Sequence, residues 1–117
     1  MGKVGVGIIT CDRPDMYDIC IESIDKSWYD ELVVVDDGKK NHPNRNRDGI
    51  YIQTTGGEGV GKAKNEALKH LMDKGCDYIV LVEDDMRFKG NLFAISIFLI
   101  NSSRLIVSCF SDPTGQR

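Results

Sequence analysis

The chain has 117 residues, of which 41% are apolar and 28% charged, enough for one packed domain and too ordered a composition for a disordered chain. Fifteen Lys and Arg against eighteen Asp and Glu leave a net charge of −3, which excludes a binder of nucleic-acid backbone. The longest near-continuous apolar run, Leu92–Ile100, is about half of the roughly 20 residues a membrane span requires, so a soluble, cytoplasmic protein is expected.

In chain order, Val4–Thr10 alternates Gly with Val and Ile and reads as a buried strand. Thr10-Cys11-Asp12-Arg13 then forms a loop, with Pro14 in the first turn of a helix over Asp15–Lys26. Met16, Ile19, Cys20 and Ile24 recur at helical spacing and mark its apolar face. Glu31–Asp36 is a second strand, continuously apolar as a strand covered on both faces should be. Asp37–Asp48 is a polar loop rich in turn formers, and Gly49–Thr54 a short third strand. A glycine run, Gly56–Gly61, opens a second helix carrying Val60, Ala63, Ala67, Leu68, Leu71 and Met72, which Gly75 stops. Tyr78–Val82 is a fourth strand, broken by Glu83-Asp84-Asp85. Asn91–Asn101 is expected as a third helix, although Leu92–Ile100 also suits a strand, and Leu105–Phe110 as a fifth strand. The domain is placed at 1–110, with a flexible tail at 111–117.

This order of elements implies an α/β fold, a three-layer α/β/α sandwich around a mainly parallel sheet. Four polar clusters then fall at carboxyl ends of strands: Thr10–Arg13, Asp36-Asp37-Gly38, Gly56–Gly61 and Glu83-Asp84-Asp85. That edge of an open parallel sheet is where ligands bind. The four cysteines lack CxxC spacing and do not cluster with His42 or His70, so zinc is not expected; Cys20 and Cys109 read as small core residues.

Each cluster has a functional and a plain reading. Three adjacent carboxylates at 83–85 suit Mg²⁺ or Mn²⁺, hard cations that bridge to phosphates; they also suit a solvated acidic turn. Asp36-Asp37-Gly38 offers acceptors to a base or ribose, or is simply a turn. Arg13 offers a planar fork to a phosphate, or is a surface arginine. Gly56-Gly57-Glu58-Gly59-Val60-Gly61-Lys62 satisfies the GxxxxGK spacing of a phosphate-binding P-loop, but Ala63 stands where a Ser or Thr should hold Mg²⁺.

In order, Val-Gly-Ile-Ile-Thr-Cys-Asp-Arg, Leu-Val-Val-Val-Asp-Asp-Gly, Gly-x-Gly-x-x-x-Ala-Lys-Asn-x-Ala-Leu and Tyr-Ile-Val-Leu-Val-Glu-Asp-Asp resemble the GT-A glycosyltransferases over about residues 4–86. The likeness is greatest to family 2 and to the N-acetylglucosaminyltransferases of N-glycan synthesis. The resemblance implies a nucleotide-diphospho-sugar transferase fold and a nucleoside-diphosphate sugar donor, UDP-linked, with Mn²⁺ or Mg²⁺ as cofactor. Glu83-Asp84-Asp85 would be the Asp-x-Asp turn, with Asp85 the metal ligand and Asp84 near the ribose or the cation. Thr10, Cys11, Asp12 and Arg13 would lie along the nucleotide, and Asp36 or Asp37 would take the base edge. Gly59, Lys62 and Asn65 would line the donor, with Lys64 where the family carries Arg.

Metal-assisted sugar transfer also needs a base for the acceptor hydroxyl. Beyond Asp85 there remain 32 residues, with Asp112 their sole acid, so no catalytic base is assigned. The expectation is such a glycosyltransferase or its donor-binding half, the short chain being either a donor-binding fragment, one that completes its site by oligomerising, or one that binds without turnover. Two alternatives share the motifs: a non-catalytic nucleotide-binding or assembly module on this fold, and the P-loop NTPase. Leu92–Ile100, Leu105–Val107 and Phe110 would supply an apolar surface for a homo-oligomer.

Overall fold

The computed structural model describes residues 2–39 and 49–88, and the backbone of 105–109. Strand β1 (Val4–Thr10) is followed by helix α1 (Pro14–Glu22), strand β2 (Glu31–Asp36), strand β3 (Ile50–Gln53), helix α2 (Val60–Asp73), strand β4 (Tyr78–Glu83) and strand β5 (Leu105–Cys109). The five strands form one sheet in the order β3-β2-β1-β4-β5, and every pairing is parallel. The expected third helix at 91–101 and the tail at 111–117 lie outside the described residues.

Alternation along each strand sorts the core into two halves. Val6 and Ile8 of β1, Leu32 and Val34 of β2, and Val80 and Val82 of β4 face α1, where they meet Tyr17, Cys20 and Ile24. Ile9, Val33, Val35, Ile79 and Leu81 face the other way and meet Ala63, Ala67 and Leu71 of α2. Each fully buried aliphatic side chain contributes about 1.5–3 kcal/mol, so the continuous apolar runs of β2 and β4 reflect burial on both faces.

The α2 face is built for close approach. Gly5 and Gly7 occupy the β1 positions beneath the helix. A Cβ on Gly7 would stand 2.9 Å from the Ala67 Cβ and 3.0 Å from a Leu81 methyl, and one on Gly5 would stand 2.6 Å from the Cys76 sulfur. The β1 glycines and the alanines of α2 are therefore complementary halves of one contact.

Helix α1 departs from expectation in extent and in orientation. It ends at Glu22 rather than Lys26, because the Ser23 hydroxyl donates to the Cys20 carbonyl (2.7 Å) and Asp25 accepts from the Ser27 amide (2.8 Å) to cap a separate 3-10 turn, Lys26–Trp28. Polar side chains that bond nearby backbone compete with helix continuation. Its buried face is Tyr17 and Cys20, whereas Met16 and Ile19 are exposed. Helix α2 buries Ala63, Ala67 and Leu71 as expected, but Val60 and Met72, at its two ends, are exposed.

Two crossovers define the topology. The β1–α1–β2 unit runs one way across the sheet and β3–α2–β4 returns the other way on the opposite face, which gives both the same hand. The chain thus reverses direction between β1 and β4. This is a three-layer α/β/α domain with a generic Rossmann-like architecture, and its switch point lies at the carboxyl ends of those two strands.

Candidate nucleotide site at the sheet edge

The four polar clusters lie at the carboxyl ends of β1 to β4, and backbone hydrogen bonds join them. The Asp84 amide donates to the Ile9 carbonyl (3.0 Å), Asp37 to Thr10 (2.9 Å), Thr54 to Asp36 (3.0 Å) and Gly57 to Asp37 (2.9 Å). The first three continue the strand ladders one residue past the sheet and the fourth ties the glycine run to the β2 loop, so the loops start from fixed positions.

Asp84 sits at the switch point and is 1% exposed. It accepts from the Thr10 hydroxyl (2.8 Å), from Arg13 Nη2 and from the Cys11 amide. Burial pushes its carboxyl above the ordinary range; Thr10, Arg13 and Cys11 oppose that shift, and the Asp85 charge adds to it. The cluster joins the end of β4 to the whole β1 loop. Glu83 stands at the first position of the turn, which therefore reads Glu-Asp-Asp, and it pairs with Lys64 of α2 (3.2 Å). Asp85 is half-buried beside it.

The β2 loop is equally engaged. Asp36 is wholly buried, accepting from the Gly38 amide (2.8 Å) and the Tyr51 hydroxyl (2.7 Å). Asp37 is 6% exposed and reaches into the glycine run. Its Oδ1 accepts from the Thr54 hydroxyl (2.6 Å) and the Glu58 amide (2.9 Å), and its Oδ2 from the Gly59 amide (2.8 Å). Burial works to raise the Asp37 carboxyl, but these three donors outweigh it and hold the group below its ordinary value. Asp12 adopts a left-handed backbone (φ 51°), a region Asp tolerates better than most residues, and accepts from the Lys39 amide (3.1 Å). Cys11 is exposed, yet local desolvation, followed by the charges of Asp12, Asp37 and Asp36, pushes its thiol upward and keeps it protonated at neutral pH.

The run itself turns through Gly56, Gly57 and Gly59, with φ of +93°, +68° and +102°, which only glycine adopts without strain. Gly59 is the N-cap of α2. Between this run, the β1 loop and β4 lies a cavity of about 250 Å³, lined by Ile9, Thr10, Cys11, Arg13, Asp37, Gly57, Gly59, Val60 and Glu83.

Of the expected site residues, Thr10, Cys11, Arg13, Asp37 and Gly59 line this cavity. Asp36, Asp84 and Asp85 do not line it, and Asp12 braces the β1 loop against Lys39. Lys62 and Asn65 are exposed and do not line the cavity. Sequence reasoning missed the Glu83–Lys64 pair and the support from Tyr51 and Thr54. The position of Lys64 beside Ala63 and Ala67, on the buried side of α2 near its start, was the available signal for the first.

Among the described residues no three His, Cys, Asp or Glu side chains converge into a protein-only metal cage, and no helix is long and apolar enough to cross a membrane. Compared with known protein families, curated proteins and solved structures, the chain has no match. The fold geometry is compatible with a nucleotide-binding module.

Proposed function

We propose that the chain binds a nucleoside-diphosphate sugar, UDP-type, and is a metal-dependent glycosyltransferase or the donor-binding half of one. The observation that carries this reading is the convergence of four strand-end loops into one hydrogen-bonded rim around a cavity at the switch point. Arg13, half-exposed on the cavity wall, is the cationic fork for the diphosphate. Thr10, Cys11 and Gly59 contact the nucleotide, and of the Asp36–Asp37 pair the latter is the one that reaches the cavity. Lys62 and Asn65, on the exposed side of α2, would contact only the outer end of the donor.

The donor set suits a cation that the diphosphate brings with it. Mg²⁺ and Mn²⁺ commonly use one or two carboxylates together with phosphates and waters, and Asp85 is the carboxylate we assign, with Asp84 holding its neighbours in place. Such a cation would stabilise charge on the departing diphosphate.

Thermal shift tests the reading. UDP and UDP-sugars with Mn²⁺ should raise the melting temperature, and Asp85→Ala should remove the Mn²⁺-dependent part. A shift unchanged in Asp85→Ala would end the metal assignment, and no shift with any nucleoside diphosphate would end the proposal. Turnover of a radiolabelled donor separates an enzyme from a non-catalytic module on the same scaffold.

A further inference from the structure

The glycine run has the spacing of a phosphate-binding loop, and two of its amides, those of Glu58 and Gly59, converge on one acceptor. An anion already occupies the run: the Asp37 carboxylate, which takes the Glu58 and Gly59 amides and the Thr54 hydroxyl at 2.6–2.9 Å while 6% exposed. Successive backbone N–H groups around positive-φ glycines make an anion-binding concavity. A ligand phosphate placed in that concavity would have to displace a buried carboxylate or sit against its charge. Neither is favourable while the same edge offers, across the cavity, the half-exposed guanidinium of Arg13, which engages Asp84 through Nη2.

We propose that Asp37 is a specificity-determining and positioning residue that fills the anion nest of residues 54–59, keeps phosphate off the glycine run, and directs it to the Arg13 side of the cavity. The run therefore does not act as a P-loop, despite its Gly56–Lys62 spacing. The proposal does not depend on which nucleotide the protein takes, because it concerns where any phosphate can sit.

Removing the carboxylate should open the nest to an external anion. In Asp37→Ala, phosphate or acetate at about 100 mM should raise the melting temperature by about 5 °C over sodium chloride of matched ionic strength. Wild type and Asp37→Asn, in which the nest stays filled, should show only the small general effect of those salts. An equal response in all three proteins overturns the proposal, as does a phosphate titration of the wild type that shifts the Glu58 and Gly59 amide resonances to saturation. Should Asp37→Ala fail to fold, Asp37→Asn carries the test through hydrogen exchange. Loss of the charge, and of one of the two acceptor oxygens to an NH2 group, should speed exchange at the Glu58 and Gly59 amides at least tenfold more than at the amides of β1 and β2, and uniform acceleration would overturn the assignment. None of these probes contains a nucleoside, so a negative nucleotide screen leaves this result standing, and the reverse holds too.

Discussion

Asp37 and Asp84 are both buried carboxylates at strand ends, and in both burial is the largest influence on the proton. At Asp37 three donors overcome it, without help from a neighbouring cation. At Asp84 the Thr10 hydroxyl, Arg13 and the Cys11 amide fall short, partly because Asp85 lies adjacent. The consequences for stability have opposite signs. Asp37, with a folded value below the ordinary 3.8, contributes stability that is present above that value and lost as pH falls through the folded one. Asp84, held above 3.8, contributes most below that value and loses its contribution as pH rises through its folded one. Asp37→Asn should therefore cost about 1.5–3 kcal/mol at neutral pH and flatten the acid limb of the stability curve. Urea midpoints collected between about pH 5 and pH 2 would show this, and an unaltered acid limb would contradict the electrostatics given for Asp37.

Among the elements, the contact of α2 with β1 is the most demanding, since it rests on hydrogen atoms where other residues carry carbon. Gly7→Ala should destabilise the protein by about 1–3 kcal/mol, the cost of forcing a methyl against Ala67 and Leu81. Adding Ala67→Gly should return part of that loss despite its own helix penalty of about 1 kcal/mol. A Gly7→Ala variant as stable as wild type would show that the two layers are looser than the distances indicate. Most of this level was legible in advance. The strands β2 and β4 announce themselves by unbroken apolar residues, β1 by Gly alternating with Val and Ile, and α2 by a helical period ended at Gly75. What was not legible has local causes. Ser23 and Asp25 end α1 through their own side chains, and Tyr17, whose hydroxyl makes it an ambiguous apolar residue, takes the buried position that periodicity assigned to Met16 and Ile19.

At the scale of the whole molecule, the grouping of polar residues at one edge was readable, because parallel strands joined by crossovers all end on the same side. Strand order was not, since pairing between distant segments leaves no local trace. Nor was the role of Asp84, which appears in sequence as one carboxylate of three and in the fold as the tie between the end of β4 and the β1 loop. Asp84→Ala should lower stability by about 2–4 kcal/mol, removing the acceptor shared by the Thr10 hydroxyl, the Cys11 amide and Arg13; part of the Arg13 contribution is discounted because that side chain is half-exposed. Denaturant titration would measure it, and a loss under about 0.5 kcal/mol, typical of surface substitutions, would remove Asp84 from this role. The backbone bonds at this edge, Asp84 to Ile9, Asp37 to Thr10 and Thr54 to Asp36 in line with the strands and Gly57 to Asp37 between loops, have a kinetic implication. Loops anchored in this way reach an incoming molecule already in shape. Capture then proceeds at the pace of diffusion and orientation, with little ordering entropy left to lose on arrival, and differences among related guests show up in how long each one stays.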